Sequence, residues 1–138
     1  MCSIFRHANI KITVIKIQAH QETIAFRGFG RVFLSPPYGF RGNESNQGLW
    51  SKKLIDEYHG GGVIEAILLA NAMTASKWFQ PLWEFTLCFT NHQIRFYRPD
   101  GTIGNQPTHA SVFVYLGQNR EKFAQVFSQF GCIVEKRW

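Results

Sequence analysis

The alternation of apolar and polar residues predicts an α/β chain. Residues 9–17 alternate between β-branched apolar and polar positions, which is typical of a half-buried strand. Residues 32–35 predict a short strand, and residues 63–70 are a near-continuous apolar run, as expected of a strand covered on both faces. Between these segments, residues 49–59 predict a helix that ends at Gly60-Gly61-Gly62. The polar stretch 40–47 before that helix, which holds Gly42 and two asparagines, predicts a mobile loop.

The second half of the chain predicts further short elements. Thr74 is in position to cap a helix over residues 75–82, which Pro81 helps to terminate. Pro99-Asp100-Gly101-Thr102 has the composition of a turn. The other predicted elements are strands over residues 85–90, 93–98 and 111–116, a helix over 119–130 and a last strand over 132–134.

Strand and helix alternate along the chain, which predicts an α/β sheet with antiparallel strands near the C-terminus. A chain of 138 residues has the length of one domain. We expect a leader over residues 1–27 that holds one strand, followed by the main domain over residues 28–138. The leader strand either covers a bare sheet edge or pairs with a second copy of the chain in a homodimer.

Composition narrows the class of protein. The net charge of +6 and the pI near 9.5 favour association with polyanions. The longest apolar run, residues 66–70, is far short of a membrane span, and the N-terminus shows no secretory signal. The three cysteines and five histidines have no metal-binding spacing. We therefore expect a cytoplasmic protein with no metal site and no membrane partner.

The chemistry-bearing feature is Ser35-Pro36-Pro37-Tyr38, directly after an apolar strand. Consecutive prolines hold φ at about −65° and remove backbone donors. The Ser35 hydroxyl and the Pro36 carbonyl are left as acceptors beside an aromatic ring. The turn therefore suits a planar group that donates hydrogen bonds and stacks on Tyr38, such as the exocyclic amino group of a nucleobase.

This turn resembles the (Asp/Asn/Ser)-Pro-Pro-Tyr motif of amino-group DNA methyltransferases, and residues 28–131 resemble the phage-type DNA adenine-N6 methyltransferase (Dam) family. The segments that carry the resemblance are, in order, Val32-Phe33-Leu34, Ser35-Pro36-Pro37-Tyr38-Gly39, Leu49-Trp50-Ser51-Lys52-Lys53-Leu54, Glu65-Ala66-Ile67-Leu68-Leu69-Ala70-Asn71, Thr74, Trp78-Phe79, Cys88-Phe89, Gln93-Ile94-Arg95-Phe96-Tyr97 and Ser111-Val112-Phe113-Val114-Tyr115-Leu116-Gly117.

The resemblance implies a fold, a reaction and a catalytic site. The fold would be the C-terminal half of a Rossmann-like class I methyltransferase sheet, and the reaction would transfer a methyl group from S-adenosylmethionine to adenine N6 in DNA. Ser35, Pro36, Pro37 and Tyr38 would be catalytic, with the Ser35 hydroxyl and Pro36 carbonyl accepting the amino hydrogens of a flipped adenine stacked on Tyr38. Serine stands where aspartate is commoner, so its hydroxyl could instead donate to a ring nitrogen.

The same resemblance leaves the cofactor site unassigned. Family members hold S-adenosylmethionine with a glycine-rich turn that follows a strand and opens a helix. Gly28-Phe29-Gly30 instead precedes a strand, so we interpret it as an ordinary turn. The 34 residues before Ser35 are too few for two strand–helix units. We therefore expect the cofactor half to be missing from this chain.

Basic residues near the motif are candidate DNA contacts. Lys52 and Lys53 on the predicted helix either meet phosphates or form a solvated helix face. Arg95 contacts DNA phosphates or the adenine site, or faces solvent, and Arg41 follows the motif closely. Trp78-Phe79 is either core or a base-stacking platform.

Three hypotheses for function remain open at this stage. The first is an active DNA adenine-N6 methyltransferase. The second is an inactive remnant that still binds nucleic acid. The third is an interaction domain that shares only the α/β framework.

Overall fold

The computed structural model describes residues 13–14, 30–36, 38–95, 100–102 and 109–138. Its strands are β1 (Thr13–Val14), β2 (Gly30–Leu34), β3 (Phe40–Arg41), β4 (Glu44–Ser45), β5 (Val63–Asn71), β6 (Thr86–Thr90), β7 (Ser111–Leu116) and β8 (Gly131–Val134). Its helices are α1 (Asn46–His59), a 3-10 helix (Lys77–Glu84) and α2 (Arg120–Phe127).

The main sheet is mixed, which confirms the α/β prediction. Its strand order is β1-β2-β5-β7-β6-β8. The pairs β1–β2 and β2–β5 are parallel, whereas β5–β7, β6–β7 and β6–β8 are antiparallel. Because β5 and β6 both run antiparallel to β7, the strands β2, β5 and β6 end at the same side of the sheet. We call this side, where the strands end at Leu34, Asn71 and Thr90, the carboxyl edge.

The sheet carries a buried apolar layer on each face. On one face, Leu34 and Leu68 are register partners and both are fully buried, packed with Trp50 and Leu54 of α1. Fully buried Phe79 of the 3-10 helix joins the same layer. The other layer is rich in aromatic rings and includes three from β7 and α2, namely Phe113, Phe123 and Phe127. Helix α1 therefore covers one face, and α2 covers the other.

Helix α1 confirms the predicted helix and its end. It begins at Asn46, three residues before the predicted Leu49, and runs to His59. Gly61 adopts φ of 81°, and Gly62 N–H bonds to the Glu57 carbonyl at 3.0 Å, so the triple glycine ends the helix as expected. Strands β5, β7 and β8 also match their predictions closely.

The prediction of a mobile loop over residues 40–47 is wrong. Strands β3 and β4 form an antiparallel hairpin, in which Phe40 pairs with Ser45 and Arg41 with Glu44. Gly42, at φ of 62°, is the first of the two residues that join the strands. This is the geometry of a two-residue type II′ turn, which favours glycine there. The glycine that suggested flexibility instead makes a tight turn possible.

Two other predicted elements differ from the structure. The strand over 93–98 is wrong for residues 93–95, which are irregular, and residues 96–98 lie outside the described ranges. The helix over 75–82 is a 3-10 helix at Lys77–Glu84, with Pro81 inside it and no side-chain cap. Thr74 instead uses its carbonyl oxygen, which accepts a bond from Gln80 Nε2 at 2.8 Å. In the C-terminal region, α2 ends at Phe127, three residues before the predicted end.

The leader strand is described only at β1. Thr13 pairs with Val32 and Val14 with Phe33, so β1 covers part of the outer edge of β2 within the same chain. The rest of the predicted strand over 9–17 lies outside the described residues, and pairing between two copies stays a prediction. No helix in the described ranges is long and apolar enough to cross a membrane.

Candidate functional site

The Ser35–Tyr38 turn lies at the carboxyl edge, immediately after β2. Pro36 is buried, whereas Ser35 is exposed and Tyr38 has a relative exposure of 58%. Pro37 lies outside the described residues. In open α/β sheets, ligands bind outside the carboxyl ends of the strands. The turn is therefore anchored in the protein by one proline and keeps its aromatic ring accessible at the side of the sheet where ligands bind.

Asn46, the first residue of α1, holds the backbone that follows the turn. Its side-chain Nδ2 donates a hydrogen bond to the Tyr38 carbonyl at 3.2 Å. Its backbone N–H donates to the Gly39 carbonyl at 2.9 Å. Gly39 adopts φ of 93°, a conformation that favours glycine. The backbone on either side of Tyr38 is thus fixed by buried Pro36 and by bonds to a helix terminus.

Gln47 connects α1 to the end of β5. Its Oε1 accepts a hydrogen bond from the backbone N–H of Asn71 at 2.7 Å, and its side chain is buried. Ser51 Oγ donates to the Gln47 carbonyl at 2.6 Å, one turn along the same helix. The sequence analysis missed the bond between Gln47 and Asn71, because these residues are far apart in the chain and no spacing rule signals their contact.

The electrostatics of Tyr38 favour a neutral ring. Partial burial raises the pKa of its phenol above the ordinary value. The side chain therefore remains uncharged at neutral pH, with an accessible aromatic face. A neutral aromatic ring suits stacking against a base.

The predicted DNA-binding residues occupy different positions. Arg41 is exposed in β3, three residues after Tyr38, and Arg95 is exposed five residues after β6 ends at the carboxyl edge. Lys52 Nζ forms an ion pair with Asp56 at 2.7 Å, and Lys53 pairs with Glu57. With a helical rise of about 1.5 Å per residue, Lys52 lies about 9 Å along the helix from Asn46. The structure therefore places Arg41 close to the turn, whereas Lys52 is exposed and Lys53 is half-buried on α1.

Trp78 and Phe79 belong to the core. Phe79 is fully buried, and Trp78 packs against the same layer, close to the backbone of Gly48 in α1. The core interpretation is confirmed for Phe79, and a base-stacking role for it is wrong.

The described residues do not form a glycine-rich cofactor turn. Gly30 is the first residue of β2 with φ of 79°, and a Cβ added there would meet no atom within 4 Å. Gly30 begins a strand, and the space beside it is open rather than enclosed as a binding site would be. Gly28 and Phe29 lie outside the described residues. Within the described ranges, no three His, Cys, Asp or Glu side chains come together to hold a metal ion.

A polar network at the opposite side of the sheet was also missed by the sequence analysis. Tyr115 Oη donates to Glu65 Oε1 at 2.6 Å and accepts from the Asn119 N–H at 2.8 Å. Glu65 also pairs with Arg31 Nε at 2.9 Å. Burial and the Glu65 bond raise the pKa of Tyr115. The network ties β2, β5 and β7 to the start of α2, which gives it a structural role away from the carboxyl edge.

Comparison with protein-family models, curated proteins and solved structures finds no match to this chain.

Proposed function

We propose that this chain is a phage-type DNA adenine-N6 methyltransferase whose described residues carry the site for the target base. One observation carries the proposal. Ser35 and Tyr38 are exposed at the carboxyl end of β2, while Pro36 between them is buried. A turn anchored in this way offers acceptor oxygens and a stacking ring to a ligand outside the sheet.

The chemistry follows from the electronic structure of adenine. The lone pair of N6 is delocalised into the ring, so the amino group is a poor nucleophile. The Ser35 hydroxyl and the Pro36 carbonyl would each accept one amino hydrogen, drawing N6 towards a tetrahedral geometry and freeing its lone pair. Tyr38, whose phenol is neutral at pH 7, would stack on the flipped base.

The sheet supports this assignment at the level of architecture. Parallel strands β1, β2 and β5 come first, and the later strands β7 and β8 pair antiparallel with their neighbours. The resemblance implies a mixed sheet of this kind for the C-terminal half of a class I methyltransferase. The order of elements and the position of the Ser35 turn agree with that expectation.

S-adenosylmethionine supplies the methyl group in this class of reaction. Because the described residues do not form its glycine-rich turn, they are given no role in holding it. Their proposed work is to bind the adenine, orient N6 and polarise its amino hydrogens.

DNA is the partner that the charge favours. The net charge is +6, and Arg41 is exposed three residues from Tyr38. Cations at this position would meet the phosphates that flank a base delivered to the turn.

Transfer of a radioactive methyl group from S-adenosylmethionine to adenine-containing duplex DNA tests the proposal directly. Tyr38→Ala should lower the rate of transfer by about 5- to 150-fold, which is the range expected for loss of one stacked base. Trp138→Ala is the matched control, because Trp138 is an aromatic residue with 93% exposure outside the proposed site. Equal rates for wild type and Tyr38→Ala would contradict the assignment of the site.

A second candidate function is nucleic-acid binding without methyl transfer. The position of Gly30 at the start of β2 favours it, since the glycine cluster nearest the motif does not open a helix there. Calorimetry separates the two candidates. Heat of binding with millimolar S-adenosylmethionine supports the enzyme, whereas DNA binding with no cofactor binding and no transfer supports the second candidate.

A further inference from the structure

Phe40 presents its ring to water beside the proposed base site. Its relative exposure is 75%, which exceeds the 58% of Tyr38 and the 44% of Met73. The two buried layers of the core hold other phenylalanines of this chain, such as Phe79 and Phe113. An exposed apolar ring next to a ligand site is more informative than a single exposed apolar residue elsewhere.

The hairpin holds Phe40 in a defined position. Phe40 pairs with Ser45 across the β3–β4 ribbon, and the turn that closes the ribbon begins two residues later, at Gly42. On its N-terminal side, the Gly39 carbonyl accepts a hydrogen bond from Asn46 N–H at 2.9 Å. The ring is therefore carried by backbone that is hydrogen-bonded on both sides.

Tyr38 and Phe40 are close enough to meet neighbouring nucleotides of one strand. Two residues span at most about 7 Å, and a DNA strand advances about 3.4 Å per nucleotide. A strand that delivers one base to Tyr38 therefore passes Phe40 within about two nucleotides. Arg41 follows and points to the opposite face of the ribbon, where a phosphate contact would not compete with the ring.

We propose that Phe40 is a wedge that inserts its ring into the base stack beside the adenine bound at Tyr38. This inference rests on the proposed function and adds a residue to it. Apolar wedges such as phenylalanine are used by DNA-binding proteins to part neighbouring bases. By filling the gap left by the flipped adenine, the ring restores stacking that the duplex loses when the base leaves.

The test uses the full chain and a duplex with one unpaired 2-aminopurine, whose emission rises when it leaves the stack. Wild type should raise the emission on binding. Phe40→Ala should weaken the emission titration by about 5- to 150-fold, the range for one stacked ring. Phe40→Trp keeps a ring and should restore the titration. Ile64→Ala is the matched control, since Ile64 has 70% exposure and lies near the opposite end of β5.

Each outcome separates the two proposals. Equal titrations for wild type and Phe40→Ala, with emission rising in both, would overturn the wedge and leave the base site intact. A wild-type protein that raises no emission would overturn the wedge. Because 2-aminopurine carries its amino group at C2 rather than C6, the methyl-transfer assay, and not this titration, decides the base site. Loss of the signal in Ile64→Ala as well as in Phe40→Ala would assign the effect to general apolar surface and overturn the wedge.

Discussion

The side chain of Gln47 accepts a hydrogen bond from the backbone N–H of Asn71 at 2.7 Å, so the first turn of α1 is fixed to the last residue of β5. Asn46, its neighbour, donates to the Tyr38 carbonyl at 3.2 Å. Two adjacent residues at one helix terminus thus hold the segment after the proline turn and the end of the neighbouring strand. The relative position of the two strand ends at the carboxyl edge depends on this pair.

Gln47→Met should destabilise the fold. Methionine is of similar size but offers no comparable acceptor, so the Asn71 N–H loses its partner in the interior. We expect the free energy of unfolding to fall by about 1–3 kcal/mol, the cost of an unsatisfied buried polar group. Urea denaturation measures it. Gln125→Met on the exposed surface of α2 is the control and should change stability little.

Arg41 and Lys52 should differ in their effect on DNA binding. Arg41→Gln removes a cation near the turn, so the slope of log affinity against log salt should become shallower by about one unit. Lys52→Gln removes a cation that lies about 9 Å along α1 from Asn46, away from the turn, so the slope should stay close to that of wild type. Affinity for duplex DNA, measured at several salt concentrations, gives both slopes. A larger effect for Lys52 would place the DNA along α1 rather than at the hairpin.

Gly48→Ala should destabilise the protein although alanine favours helices. A Cβ at Gly48 would lie 2.7 Å from the Cβ atom of Trp78. A Cβ atom is fixed to the backbone, so it cannot move aside by rotation of the side chain. Overpacking of this kind costs about 1–3 kcal/mol, which outweighs a gain of about 0.5–1 kcal/mol from replacing a helix glycine. Thermal unfolding measures the net change. A rise in Tm would show that α1 and the 3-10 helix do not pack this closely.

Cys88 should make stability fall with rising pH. Burial, with a smaller effect of Cys132, raises the pKa of the Cys88 thiol to about 11. An unfolded cysteine ionises near about 8.5. The folded state therefore binds the thiol proton more tightly than the unfolded state does. The contribution of this group to the free energy of unfolding is complete below about pH 8.5 and is lost as pH rises towards 11.

Unfolding in urea at pH values from 7.5 to 10, with reductant present, would measure this loss (about pH 8.5 marks its onset). Cys88→Ala is the control, since it removes the titrating group and should flatten that part of the profile. Tyr115, whose pKa is also raised, contributes in the same direction only above its ordinary value near about 10. An identical slope in wild type and Cys88→Ala would contradict the assignment.

Local patterns predicted most of the regular elements. The apolar runs at β5 and β7 and the triple glycine after α1 are each features of neighbouring residues in the chain. Prediction was wrong where Gly42 closes a hairpin and where residues 93–95 lie outside the sheet. In both places the outcome depends on partners that local composition does not specify.

By itself, the sequence determined where strands and helices alternate, and that a proline turn with a terminal tyrosine follows β2. Chain stiffness and hydrophobic periodicity act over a few residues, so they can be seen in the sequence alone. Only the tertiary structure decided that Tyr38 stays accessible while Pro36 is buried, and that Asn46 and Gln47 hold the carboxyl edge together. Those contacts join positions distant in the chain, and they form because α1 is packed against the sheet by the burial of Trp50 and Leu54.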